Sequence, residues 1–177
     1  SSSVNRKISA IKSFYIFLQK KKIIMKSPIA DIVMPKQEKY LPVSMSEEEV
    51  ERLLNSPDLN IQIERRDKAM IEVLYATGIR ISELTNLKLT DLDINRSVLK
   101  VFGKGSKERL VPFGEKAAES LNLYLTDRKD LKSKEIFLSN RGTKISRGAF
   151  WQRIKIYTKR ENLKISISPH TLRHAFA

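Results

Sequence analysis

Apolar residues recur at spacings of three and four from the start of the chain: Val4, Ile8, Ile11, Tyr15 and Leu18. That period is one face of an α-helix and predicts a helix over residues 1–22, ending in Lys20-Lys21-Lys22. Pro28 and Pro35 interrupt the pattern, and residues 36–44 are polar, contain Pro42 and show no periodicity. This stretch is the expected linker. Residues 1–35 then read as the C-terminal part of one helical domain, 36–45 as the connection and 46–177 as a second domain.

The second domain opens with Ser46-Glu47-Glu48-Glu49, in which Glu49 is placed to bond back to the Ser46 cap. Val50, Leu53 and Leu54 give that helix an apolar side. A further helix is predicted over 63–76, with Ala69, Met70, Val73 and Leu74 inward and Gly78 supplying a left-handed terminus. A short helix follows over 82–87. The pattern then changes to strands at 97–102 and 109–113, flanking the turn Gly103-Lys104-Gly105-Ser106-Lys107. Its two glycines permit positive backbone angles. Helical spacing returns over 115–125 through Ala118, Leu121 and Leu125. A short strand is expected at 136–138, before the turn Asn140-Arg141-Gly142. Ser146 caps a helix to about residue 161 with Phe150, Ile154 and Tyr157 on one side, and Ser168-Pro169 starts a last helix. The fold class is therefore mainly α with a small antiparallel β-sheet.

Composition narrows the function. Hydrophobic residues make up 41% of the chain, enough for a core, and no apolar run reaches membrane-span length. With no cysteine and only His170 and His174, thiolate and histidine-rich metal sites are not expected, and no cofactor is implied. The net charge of +14 makes a polyanion the expected partner, with nucleic acid foremost. The first residue is Ser1, and Ala177 falls inside the last predicted helix, so the chain is expected to be a fragment at both ends.

Three segments place cations where a phosphate can bind. In Gly78-Ile79-Arg80-Ile81-Ser82-Glu83, Arg80 stands at the start of a helix and offers a fork to two phosphate oxygens. Glu83, one turn on, is placed to orient it. The plainer reading is a surface ion pair of little consequence. In Gly103-Lys104-Gly105, a lysine on a tight tip can enter a groove and donate a proton, or simply decorate a solvated turn. That loop joins two strands and lacks the spacing of a nucleotide-binding phosphate loop. In Pro169-His170-Thr171-Leu172-Arg173, His170 and Arg173 share a helical face. They supply donors and proton management for phosphoryl transfer, or else form an ordinary polar helix start.

The residues from Arg66-Asp67-Lys68-Ala69-Met70 to Leu84 resemble the first catalytic box of Xer-type site-specific tyrosine recombinases. Gly103-Lys104-Gly105-Ser106-Lys107-Glu108-Arg109-Leu110-Val111-Pro112 resembles their catalytic hairpin. Ser168-Pro169-His170-Thr171-Leu172-Arg173-His174-Ala175-Phe176-Ala177 resembles the start of their second box. Order and spacing agree over nearly the whole chain, nearer the XerD-like branch than phage integrases generally. The resemblance implies a catalytic domain preceded by the last helix of a core-binding domain. By it, Arg80 and Arg173 clamp the scissile phosphate, Lys104 protonates the leaving 5′-oxygen and His170 assists proton transfer and binds phosphate. It implies a 3′-phosphotyrosyl intermediate that needs neither metal nor nucleotide, and chromosome dimer resolution as the setting. Duplex DNA and homologous recombinase subunits, as a tetramer on two DNA sites, are the implied partners, in the cytoplasm. None of Tyr15, Tyr40, Tyr75, Tyr124 and Tyr157 matches the expected nucleophile, so these residues alone are expected to be inactive. The rival readings are a DNA-binding module that does not cut and an RNA-binding protein. Sparse aromatics, 7% of the chain, argue against the second.

Overall fold

Local capping chemistry sets most helix boundaries in the computed structural model, which describes residues 2–35, 45–103, 107–128 and 133–163. The chain divides into two compact units, Ser1–Pro42 and Val43–Ala177.

In the first unit, α1 (Ser2–Lys20) is followed by irregular backbone that returns along it. The Asn5 amide donates to the Pro35 carbonyl at 3.0 Å and the Lys12 ammonium to that of Ile32 at 2.7 Å. Ile8, Tyr15 and Leu18 of the predicted stripe are half-buried, but Val4 and Ile11 are about half exposed, at 49% and 47%.

In the second unit, α2 (Glu47–Asn55) starts with the expected reciprocal cap. The Ser46 hydroxyl accepts from the Glu49 N–H at 3.2 Å, and the Glu49 carboxylate accepts from the Ser46 N–H at 3.0 Å. Helix α3 (Gln62–Thr77) ends at Gly78, whose φ of 56° is left-handed. It is the central helix. Ala69, Met70, Ile71, Val73 and Leu74 are all fully buried, so its apolar surface wraps around the helix instead of forming one stripe. After Gly78 the chain turns into α4 (Ile81–Leu84), then the short strand β1 (Leu92–Asp93) and the hairpin β2 (Val98–Phe102) and β3 (Glu108–Pro112). The three strands are antiparallel in the order β1-β2-β3, with Leu99 opposite both Leu92 and Val111. Two residues are too few to show alternation, which is why β1 had no sequence signal.

Helix α5 (Glu115–Thr126) packs chiefly against α3. Its inward residues are Ala117, Leu121 and Tyr124, whereas the periodicity had pointed to Ala118, Leu121 and Leu125, which apart from Leu121 are only half-buried. Tyr124 decides the rotation. Its ring stacks on Phe137 and its hydroxyl accepts from the Leu138 N–H at 3.1 Å, so the phenol is satisfied inside the core. The expected strand at 136–138 is not one. Glu135 and Leu138 form isolated bridges with Lys88 and Lys144. Helix α6 (Arg147–Arg160) is capped by Ser146, whose hydroxyl accepts from the Ala149 N–H at 3.0 Å, and Phe150, Ile154 and Tyr157 are fully buried. The predicted helix from residue 168 lies outside the described residues.

Four charged residues of α3 are also buried: Glu64, Arg66, Asp67 and Glu72. Ions inside a core are tolerated only with partners, and α6 supplies several of them. Asp67 accepts from Arg153 at 2.5 Å and from the Tyr157 hydroxyl at 2.7 Å, and Glu64 accepts from Arg160 at 2.8 and 2.9 Å. No helix among the described residues is long and apolar enough to cross a membrane.

Candidate functional site

Arg80 occupies the N-cap position of α4, directly after the left-handed turn at Gly78 and the buried anchor Ile79. That sequence fixes where the arginine emerges from the core. Its side chain is 53% exposed, while that of Glu83 is only 6% exposed. Glu83 accepts from the Arg80 backbone N–H at 2.8 Å and from one guanidinium nitrogen at 3.1 Å. The surface-pair reading therefore does not describe it. The carboxylate is a buried fixture that aims an exposed guanidinium. With only four residues in α4, the helix dipole adds little, and the attraction for an anion rests on the arginine.

A second arginine shares the same carboxylate. Arg109, on β3, donates to Glu83 at 2.8 and 3.3 Å, one contact to each carboxylate oxygen. Burial raises the Glu83 pKa, but the bonds from Arg109 and Arg80 more than offset this and hold it below the usual carboxylate range. The sequence reading gave Arg109 no role. A signal was present: β3 alternates, and Arg109 falls on the same side as Val111, opposite the buried Val101. A charge on the covered side of a strand calls for a partner.

Arg80, Glu83 and the start of the hairpin tip line one cavity of about 420 Å³, together with Ser82, Asn86 and Lys100. Gly103 is part of that wall, and Lys104 is the next residue in the chain. Gly103 does not have a positive φ, so the conformational reason expected for it does not hold. A Cβ there would lie 3.2 Å from an Arg109 guanidinium nitrogen. Its N–H also closes the turn onto the Lys107 carbonyl at 2.8 Å. Of the four candidate residues, Arg80 is described, while Lys104, His170 and Arg173 lie outside the described residues.

The described tyrosines are not presented as nucleophiles. Tyr124 and Tyr157 are buried with their hydroxyls engaged, and Tyr15 and Tyr75 are half-buried. Tyr40 lies outside the described residues. On the outer side of α6, Lys155 and Lys159 are exposed, with Lys155 over the Trp151 ring.

The family model described as "Phage integrase family" matches residues 44–177. The tyrosine recombinase XerD of Shewanella oneidensis is 42% identical over 181 aligned residues, which include 99% of this chain and 60% of that protein. The chain thus spans about three-fifths of the curated relatives it matches. Among solved structures, the XerA recombinase is 30% identical with a TM-score of 0.71, covering 94% of this chain and 58% of that one. The Tn1549 transposon integrase, solved in complex with circular intermediate DNA, has a TM-score of 0.77. It covers 97% of this chain and 63% of that one, and at 23% identity it is similar in fold.

Proposed function

This chain belongs to the phage integrase family, and from that premise we propose that the protein carries out site-specific DNA recombination as a Xer-type tyrosine recombinase. The observation that carries this reading is the half-exposed Arg80 guanidinium, held by buried Glu83 in a cavity whose wall includes Gly103, the residue before Lys104. On this reading Arg80 and Arg173 bind the non-bridging oxygens of a scissile phosphate, and their charge offsets the negative charge that gathers there in the transition state. A tyrosine oxygen attacks phosphorus and the bond to the 5′-oxygen breaks. Lys104 gives that oxygen a proton, and His170 binds the phosphate and assists proton transfer. The new 3′-phosphotyrosyl bond conserves the energy of the one broken, and reversal by a 5′-hydroxyl rejoins strands. Duplex DNA is the substrate, consistent with the +14 charge and the exposed lysines of α6, and homologous subunits assemble as a tetramer on two sites. The setting is the cytoplasm, with chromosome dimer resolution as the task. None of the five tyrosines present is the nucleophile, so these 177 residues alone form no covalent DNA adduct.

The test is a pair of suicide substrates for the full-length protein, one with an ordinary and one with a 5′-thio leaving group. Lys104→Ala slows cleavage of the first by about a hundredfold or more, the usual scale for a lost general acid, and leaves duplex affinity nearly unchanged. The thio substrate, which needs little protonation, restores the rate. A slow variant without rescue removes Lys104 from the acid role. A full-length protein that binds but never cleaves defeats the recombinase reading.

A further inference from the structure

Resting on the phosphate-site reading above, we propose that Arg109 is a positioning residue of that site, tying the hairpin that carries Lys104 to Arg80 through the shared carboxylate of Glu83. The two parts that must cooperate come from different elements. Arg80 stands at the start of α4, and Lys104 comes two residues after the end of β2. Misplacing a reacting group by about 1 Å can cost on the order of a hundredfold in rate. Glu83 supplies a restraint because it is bonded on both sides. One carboxylate oxygen meets the Arg80 side chain and the other the Arg80 backbone, while Arg109 meets both oxygens from β3.

The surrounding geometry supports the tie. The fork of Arg109 lies across both Glu83 oxygens, which restricts rotation as well as distance. Its guanidinium also lies close to Gly103, since a Cβ added there would be 3.2 Å from one of its nitrogens, so the arginine reaches the residue that precedes Lys104. Among the described residues the Arg80 guanidinium makes one side-chain hydrogen bond, to Glu83, so no described partner competes with a phosphate for its other donors. The other charged groups of this wall are otherwise engaged. Lys100 pairs with Glu108 at 3.1 Å, and Asp91 accepts from the Lys88 N–H at 2.9 Å.

The tie also predicts a pH signature. Without Arg109, Glu83 keeps its burial but loses its strongest charged partner, so its pKa rises. Protonated Glu83 no longer holds Arg80, and activity falls as pH drops through the raised value. The experiment compares Arg109→Ala, Arg109→Lys, Glu83→Gln and the double variant Glu83→Gln/Arg109→Ala in the full-length protein. Cleavage of a nicked suicide substrate and duplex affinity are measured between about pH 5 and pH 8, and the Glu83 carboxyl is titrated by carbon NMR without DNA. Arg109→Ala is expected to slow cleavage roughly ten- to a hundredfold at neutral pH, more in acid, with duplex affinity within about threefold. Arg109→Lys, which keeps charge without the fork, falls between it and the parent. It carries the test if the alanine variant does not fold. The double variant is no slower than the slower single one, because both break one link. Single effects that multiply in the double variant, or a Glu83 midpoint that does not rise in Arg109→Ala, overturn the proposal. Parent protein without cleavage defeats the function reading instead, and the DNA-free titration then still decides the link between Arg109 and Glu83.

Discussion

Asp67, between α3 and α6, and Glu83, between α4 and β3, are each gripped by two arginines, yet their surroundings differ. Asp67 is fully buried. It accepts from Arg66 at 2.6 and 3.0 Å, from Arg153 at 2.5 Å and from the Tyr157 hydroxyl at 2.7 Å. The Arg66 guanidinium spends its remaining reach on the Leu138 carbonyl, and Arg153 continues to Glu64. The network closes on itself, and its donors serve the protein. Glu83 is almost as buried, but the arginines it holds are 53% and 40% exposed, and Arg80 lines a cavity. One cluster spends its charge on joining helices, the other presents it outward. Closed networks are costly to break because each ion left behind is stranded in the core, whereas exposed cations can be removed with little effect on folding.

Breaking the closed cluster has the largest expected effect. Asp67→Asn keeps the shape but strands Arg66 and Arg153 without their counter-charge, and should cost about 3–5 kcal/mol in denaturant unfolding. A loss below about 1 kcal/mol would mean that the apolar side of α6 and its Glu64 pairs hold the helix without help from Asp67. At the open cluster the contrast reverses. Arg80→Ala should slow cleavage by the full-length protein at least a hundredfold, about 2.7 kcal/mol of barrier, while unfolding shifts by no more than about 0.5 kcal/mol. Comparable losses in both assays would erase the distinction between the clusters.

Acid titration gives the smallest effect. Burial pushes Glu64 up, but the Arg160 side chain outweighs it, and with the Asp58 N–H and Arg153 it lowers the Glu64 pKa from 4.5 to about 2. A carboxylate with a depressed folded-state value stabilises fully above its unfolded value. The contribution is then lost as pH falls from about 5 towards 2. Arg160 is 40% exposed, so the linked stability is discounted to on the order of 2 kcal/mol. Glu64→Gln should flatten the acid limb of the unfolding profile. Parallel curves for parent and variant would assign that limb to other groups.

What was legible in the chain follows the range of the interactions. The Ser46 and Glu49 cap, the Gly78 terminus, the Ser146 cap and the apolar side of α6 all depend on residues within one or two turns, and each was readable from spacing. Arg80 and Glu83 were readable for the same reason, being three apart. Arg109 meets Glu83 across 26 residues and Arg153 meets Asp67 across 86, and neither separation carries a periodic signal. The inward rotation of α5 likewise waited on Tyr124 finding Phe137 and the Leu138 N–H. The sequence by itself determined where helices start and stop, the mixed α and β class, the basic charge and the cationic segments suited to phosphate. Tertiary structure alone decided which charges are buried, which carboxylate serves which arginines and which guanidinium stays open. The physical reason is that burying an ion is unfavourable until a partner arrives, and that partner is supplied by the docking of distant faces, not by neighbours along the chain.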